Sequence, residues 1–472
     1  MKLLASQAVV WVPLPIRPRR SLLLSGLLAG APLLALAGPA HAGVPASAAS
    51  AKGGYVPGEV IVRYAPGAGR IARASAQRST GTGAPRVFAP RTRVLKIRDG
   101  EGVRETIAEL SRRPGVLSAT PNWIAHASAF VPDDPGQTGA PGGWQSLQWN
   151  FNPVTGINAP DAWDRLNAVG RPGGFGVKVA VLDTGVAYAT RRGFVRSPDL
   201  SAARFLKGYD FVDNDSFPDD QNGHGTHVAS TIAESSGNGV GLTGVAYGAR
   251  VMPVRVLDRA GAGDSVAISA GIRYAARRGV QIINLSFEFD PQVTRGEIPD
   301  IFDALRYARR RGVLVVGASG NLSGHAVAYP ARVSTVLSVG ATTEHLCQAD
   351  YSNSGPDLDI VAPGGGPDSA IPGDPNCRPG TEPAGRDVFQ MTYSGRSVKT
   401  FGLPAGYVGT SMAAPHVSGT AALVIASGVI GPKPTPVAIE ARLKATARDL
   451  GIPGQDNRYG AGIVDAARAV TP

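Results

Sequence analysis

Six short apolar runs, most closing on glycine or a polar residue and several leading into a helix-like segment, restrict what this chain can fold into. They are "VKVAVLD" (177–183), "RVMPVRVLD" (250–258), "VQIINLSF" (280–287), "VLVVGASGN" (313–321), "VLSVGAT" (336–342) and "LDIVAPGG" (358–365). Unbroken Val/Ile/Leu runs are strands buried on both faces. Helical patterns stand among them, in "SVAISAGIRYAARRG", "DIFDALRYARRRG" and "SMAAPHVSGTAALVIASG". Strands alternating with helices predict an α/β fold with a doubly wound, mostly parallel sheet over residues 145–472. Such sheets bind ligands beyond the carboxyl ends of their strands, so the chemistry is sought there.

The front of the chain reads differently. "RPRR" at 17–20, the apolar run "SLLLSGLLAGAPLLALAG" and the small-x-small site Ala40-His41-Ala42 form a secretory signal peptide over 1–42. The run is too short and too broken for a membrane span. Residues 43–54 are an Ala/Gly/Ser-rich linker. Residues 55–126 predict a small α+β unit: a strand in "GEVIVRY", a second in "RVFAPRTRVLKIRDG", a helix in "VRETIAELSRRPG" and a third strand in "VLSATPNWIAHA". Residues 127–144 read by composition as an exposed linker or arm.

Charge divides the same way. The net charge is +11, but the first 126 residues hold 17 Lys+Arg against 5 Asp+Glu, and the remainder holds 30 against 31. The main body is therefore near neutral, which argues against a nucleic-acid partner. Export places the two cysteines, Cys347 and Cys377, in an oxidising compartment. A disulfide is the favoured reading, and two free buried thiols are the alternative.

Three segments at strand ends and helix starts carry reactive residue types: "VAVLDTGV" at Asp183, "NGHGTHVAS" at His224 and "GTSMAAPHVSG" at Ser411. A serine hydroxyl attacks only when a base takes its proton, and the base needs a partner for its tautomer and cation. Taken singly, each residue has an ordinary reading as a cap, a helix residue or a turn. Gly223 and Gly225 clear the space around His224, and Gly409 and Thr410 clear the approach to Ser411. Pro415 is tolerable if it falls in the first helical turn. His227, one turn on, is the weaker candidate for the base, and His416 reads as a packing residue.

With these three motifs together, in the order Asp…His…Ser, the chain resembles the subtilisin-like serine proteases. The resemblance covers essentially all of 145–472. It implies that Asp183 orients His224, that His224 is the general base and then acid, and that Ser411 is the nucleophile. In "GASGN" it makes Asn321 the oxyanion-hole asparagine. It makes 55–126 an inhibitor-like propeptide that chaperones folding and is then cut off. It places substrate backbone along Gly261-Ala262-Gly263 and Ser286-Phe287-Glu288. Relatives carry Leu-Gly-Gly where this chain has Phe287-Glu288-Phe289, and Glu288 is expected to change primary specificity. Residues 364–406 form a long Pro/Gly-rich insertion before the serine, shaping the leaving-group side of the cleft or standing as a stapled surface insert.

The aspartates Asp210, Asp213, Asp215, Asp219 and Asp220 crowd into eleven residues ahead of His224. A hard cation takes several oxygen ligands at mixed spacing. The tract resembles a thermitase-like calcium loop of the same family, so Asp210, Asp213, Asp215 and Asp219 are expected to hold structural Ca²⁺. Asp219 departs from the glutamine found there. Asp199 and Asn238 match a second family calcium site. The expected product is a monomeric, secreted serine endopeptidase acting on proteins or peptides, without a membrane anchor once mature. A catalytically inactive binding protein on this scaffold and an esterase are the rival readings.

Overall fold

A computed structural model describes residues 55–80, 86–97, 102–123, 130–191, 193–369, 371–379, 385–395 and 397–472. The signal peptide and the 43–54 linker lie outside the described residues. The chain divides into two compact units, one ending at Ala127 and the other starting at Ser128.

The first unit is a four-stranded antiparallel sheet with two helices. Strands β1 (Tyr55–Tyr64), β2 (Arg86–Ala89), β3 (Thr92–Lys96) and β4 (Val116–Trp123) lie in the order β2-β3-β1-β4. Helices α1 (Arg70–Thr80) and α2 (Val103–Ser111) complete it. Alternation in β1 sends Val60, Val62 and Tyr64 to one face, where they meet Leu95, Val103 and Leu110. Burial of each such side chain stabilises by about 1.5–3 kcal/mol. Two expectations need correction. The single strand expected over 86–100 is a hairpin, β2 and β3, because Pro90 and Arg91 cannot both continue the ladder. Helix α1 was missed because its sequence, "RIARASAQRST", has only one large apolar residue.

The second unit is built on seven parallel strands. They are β5 (Lys178–Asp183), β6 (Tyr209–Asp210), β7 (Arg250–Arg255), β8 (Ile282–Leu285), β9 (Leu314–Ala318), β10 (Val336–Thr342) and β11 (Ile360–Pro363). Their order is β11-β10-β9-β8-β5-β7-β6, with every pairing parallel. From β5 the chain goes out to the edge strand β6, returns to β7 beside β5, and then crosses to β8 and runs outward to β11, so the connections change side at β5 and the switch point lies at its end. Val179 and Val181 of β5 face one core, and Ala180 and Leu182 face the other. Helices α3 (Ala159–Ala168), α4 (His224–Ala233) and α7 (Thr410–Ser427) cover the first face. Helices α5 (Ser265–Arg277) and α6 (Pro299–Arg310) cover the second. Helices α8 (Pro436–Thr446) and α9 (Ala466–Ala469) close the unit, and a short hairpin, β12 (Thr392–Tyr393) and β13 (Phe401–Gly402), lies ahead of α7.

Helix α7 is apolar nearly all round and is buried through most of its length, from Met412 to Val424. Pro415 is its sixth residue, beyond the first turn. Proline has no N–H, so the carbonyl of Ser411 has no helical donor. Ser286 supplies one: its Oγ donates to the Ser411 carbonyl at 2.9 Å.

The segment read as an exposed arm is partly folded in. Trp144 is buried and donates to the Pro132 carbonyl, Asp134 is buried, and Gly136 N–H donates to Gly241. The 364–406 insertion is likewise more than a surface insert. Val388, Gln390, Thr392 and Tyr393 are buried, and Cys347 and Cys377 form a disulfide closing a loop of 30 residues. In the chain-entropy model such a loop contributes about 3–4 kcal/mol.

Leu305, fully buried on α6 in the second core, reports on packing away from the strand ends. Leu305→Ala is expected to destabilise the second unit by about 2–5 kcal/mol. A urea titration followed by tryptophan fluorescence should show a lower midpoint with an unchanged slope.

Candidate active site

Asp183 ends β5 at the switch point and is fully buried. One of its oxygens accepts from the Thr184 N–H at 2.7 Å and faces His224 Nδ1 at 2.7 Å. A carboxylate only accepts, so Nδ1 carries the ring proton and Nε2 is left as the acceptor. The His224 side chain keeps 25% of its surface exposed. Burial by itself would lower the imidazole pKa. The Asp183 charge, its hydrogen bond and the nearby Asp220 charge outweigh that, and the net shift is upward.

His224 is the first residue of α4, held by the turn before it. Asp220 organises that turn. Its Oδ1 accepts from Thr184 Oγ1, Asn222 N–H and Gly223 N–H, each at 2.9 Å. Its Oδ2 accepts from Thr226 N–H at 2.9 Å and Thr226 Oγ1 at 2.6 Å. Gly223 adopts φ +111°, which favours glycine. The insertion braces the same turn: Thr392 Oγ1 donates to the Gly223 carbonyl, and Tyr393 Oη donates to the Asp220 carbonyl.

Ser411 is the second residue of α7, where backbone N–H groups lack helical acceptors. Its Oγ donates to the Ser286 carbonyl at 3.1 Å. Asn284 Nδ2 donates to Ser286 Oγ, and Ser418 Oγ donates to Asn284 Oδ1, so the 286 segment is tied to α7 at several points. Asn321 follows β9. Its Oδ1 accepts from Thr410 N–H at 2.8 Å and Thr410 Oγ1 at 3.0 Å. That fixes which end of the amide is the acceptor and leaves Nδ2 as the donor end.

One cavity of about 370 Å³ is lined by His224, Ser411, Asn321, Gly261, Ser286, Phe287 and Glu288 among others. Ala262 and Gly263 do not line it. Ala262 instead closes a turn with Asp258, and a Cβ at Gly263 would strike the Val256 carbonyl. His227 and His416, in the same motifs, are held by packing. His227 stacks on Tyr407 at 4.1 Å and meets the Val388 carbonyl, and burial pushes it down to about 3. His416 lies between Met412 and Asn150, and burial pushes it down to about 4.

The acidic tract does not gather around one point. Arg255, only 2% exposed, binds Asp210 at 2.7 Å and Asp213 at 2.6 Å. Arg191 binds Asp219 at 3.2 Å. Burial still raises Asp219 to about 6, against the pull of Arg191. Asp215 accepts from the Phe217 N–H. Among the described residues no three His, Cys, Asp or Glu side chains are placed together to hold a metal. Two arginines thus pair with three of the four expected aspartates, Asp210, Asp213 and Asp219.

A second acidic place surrounds the expected pair Asp199 and Asn238. Asp199 and Glu234 are fully buried, and so is Asp134. Burial raises all three; the Asp134 charge adds to the shift of Asp199, the Asp199 and Asp134 charges add to that of Glu234, and Asp133 adds to that of Asp134, with Asp199 reaching about 8. Glu234 Oε2 is buried without a hydrogen-bond partner. Asn238 Nδ2 donates to Asp199 at 2.8 Å. Asp134 and Glu234 were not singled out in the sequence. Neither lies in a motif, and only folding brings them to Asp199.

Comparison with known proteins agrees with this arrangement. The subtilase family model matches residues 174–462. The chain belongs to the subtilase family. The model of the fervidolysin N-terminal prodomain matches residues 42–122, so this subtilase carries a prodomain. It is 34% identical to the thermophilic serine proteinase of Bacillus sp. (strain AK1) over 80% of each chain. It is 33% identical to thermitase of Thermoactinomyces vulgaris, over 66% of this chain and 93% of that one. Its structure is similar to a protease of Pseudoalteromonas arctica PAMC 21717, with a TM-score of 0.57 and 31% identity, covering 72% of this chain and 99% of that one. The subtilisin-like fold and the serine endopeptidase class follow.

The pH response of this subtilase should reflect His224. Its base form is lost as pH falls, and its raised pKa places the acid limb of kcat/KM above the ordinary imidazole value of about 6.5. Asp183→Asn should shift that limb down and lower kcat by on the order of 10⁴. A pH–rate profile of the two proteins checks both.

Proposed function

We propose that this subtilase is a secreted serine endopeptidase, made as a zymogen, that cleaves proteins through Asp183, His224 and Ser411. The observation that carries the reading is the Asp183–His224 hydrogen bond opening onto the same cavity as Ser411 and Asn321. Ser411 Oγ turns from the Ser286 carbonyl toward His224 Nε2, gives up its proton and attacks the scissile carbonyl. Asp183 stabilises the imidazolium formed. Asn321 Nδ2 and the Ser411 N–H donate to the oxyanion, a role typically worth ~10²–10³ in turnover per donor. The C–N bond then breaks as His224 Nε2–H protonates the leaving amine. Water repeats the cycle on the acyl-enzyme. Substrate backbone runs beside Ser286 and Gly261, which line the cavity.

Residues 55–126 act as the intramolecular chaperone and inhibitor and are removed in maturation. The mature enzyme acts as a monomer with no nucleic-acid partner. No helix among the described residues is long and apolar enough to cross a membrane. The apolar run after Arg20 and the disulfide support export.

Structural Ca²⁺ is held at the place of Asp199 and Asn238, where it offsets the burial of the Asp199 carboxylate. The acidic loop, with Asp210 and Asp213 already paired to Arg255, takes it less readily.

Two experiments test this. A covalent serine-directed reagent should label wild-type protein at Ser411, and Ser411→Ala should lose both labelling and casein hydrolysis. Unlabelled, inactive wild type would overturn the reading. Chelation with EDTA should lower the Tm of Ser411→Ala protein. A further Asp199→Asn change should abolish that sensitivity, and Asp213→Asn should leave it in place, as scanning calorimetry would show.

A further inference from the structure

The cavity beside Ser411 contains a carboxylate that the peptidase reaction does not require. Glu288 follows Ser286 and Phe287 on one wall, and Ala318 and Asn321 stand on the other. Its side chain spans the slot between them. Glu288 Oε1 accepts from the Asn321 N–H at 3.0 Å and Oε2 from the same group at 3.2 Å. Asn321 Nδ2 lies 3.4 Å from Oε1. A Cβ on Gly320 would collide with Glu288 Oε2 and with Asn353, so the carboxylate lies flat against the far wall. The backbone behind it is pinned, since the Phe289 N–H donates to the Tyr329 carbonyl at 2.8 Å.

Two features make this an acceptor site rather than a closed structural pair. All of its hydrogen bonds come from neutral amides, which leave lone pairs on both oxygens. None of the residues lining the cavity is lysine or arginine. Burial raises the Glu288 carboxyl, and the Asn321 bonds only partly oppose that. An anion so placed gains most from a cation that enters with its own apolar stem.

Position decides which substrate group that is. The scissile carbonyl oxygen sits on Asn321 Nδ2 in the proposed reaction, and Glu288 Oε1 is 3.4 Å from that atom. The carboxylate is therefore within one side chain of the scissile carbonyl. Its backbone belongs to the wall that carries Ser286, whose carbonyl adjoins Ser411 Oγ. We infer that Glu288 makes this enzyme selective for peptides with lysine or arginine immediately before the cleaved bond. The ammonium or guanidinium pairs with Glu288 while the methylenes lie against Phe287 and Ala318. A neutral side chain would shut the carboxylate away from water without a counter-charge, which is costly. This rests on the serine endopeptidase reading and adds its substrate class.

The test uses mature enzyme and a series of fluorogenic peptides that differ only at the residue before the scissile bond: Arg, Lys, Gln, Leu and Ala. The expected wild-type result is kcat/KM at least about tenfold higher for Arg and Lys than for Gln or Leu. Within Glu288→Gln, that ratio should fall to near one, whatever happens to the overall rate. A wild-type preference for Ala or Leu overturns the inference, since Glu288 then acts as a stopper for small or apolar residues. An Arg preference retained in Glu288→Gln also overturns it. Should the variant fail to fold, the wild-type ratio measured across ionic strength replaces it: a charge-based preference narrows with added salt, and one that does not narrow counts against Glu288. Failure of the endopeptidase reading looks different, with no peptide cleaved and no labelling of Ser411.

Discussion

Asp220 is the constraint on which the rest of the site depends. It is a fully buried carboxylate that accepts five hydrogen bonds, from the end of β5, from the turn at Asn222 and Gly223, and from the first turn of α4. Burial raises its pKa, and only the ring of donors together with the positive end of the helix makes the charge tolerable. Removing any one donor would leave part of a buried anion unsatisfied. The network therefore sets β5, the turn and α4 in one relation, and that relation places His224 against Asp183.

A second network ties Ser411 to the Ser286 wall of the cavity. Pro415 removes the helical donor to the Ser411 carbonyl, Ser286 Oγ takes its place, and Asn284 and Ser418 extend the chain into α7. A helix irregularity thus becomes a crosslink between α7 and the end of β8. Asn321 is held in the same manner, because Thr410 uses both its N–H and its hydroxyl to hold the amide oxygen. The donors and acceptors of the candidate site are each oriented by a neighbour elsewhere in the fold, which is the usual condition for a pre-organised site.

The acidic tract shows how one run of like residues divides into separate tasks. Asp210 and Asp213 meet Arg255, Asp219 meets Arg191, and Asp220 organises the histidine turn. In the linear chain these residues share one composition and one charge. In the fold they differ because the side chain that reaches each comes from β7, from the loop after β5, or from the backbone of α4. The same holds for Asp134, Asp199 and Glu234, which are far apart in the chain and close in the fold.

Much of the fold was legible because it rests on local periodicity. Continuous apolar runs marked β5 and β7–β11, and the motifs around Asp183, His224, Asn321 and Ser411 stood at the strand ends and helix starts where such sheets carry chemistry. The short β6 escaped that signal, since two residues carry no period, and α1 escaped because its face is nearly polar. The sequence by itself determined the residue types, their order and the strand–helix alternation that brings them to one edge, because these depend on spacing of 2.0 and 3.6 residues. Only the tertiary structure decided which carboxylate meets an arginine, which meets a histidine and which stands in the substrate cavity without a counter-charge. Those choices depend on distances of about 3 Å between residues up to 200 or more positions apart, and a Coulomb or hydrogen-bond energy exists only once folding closes that distance.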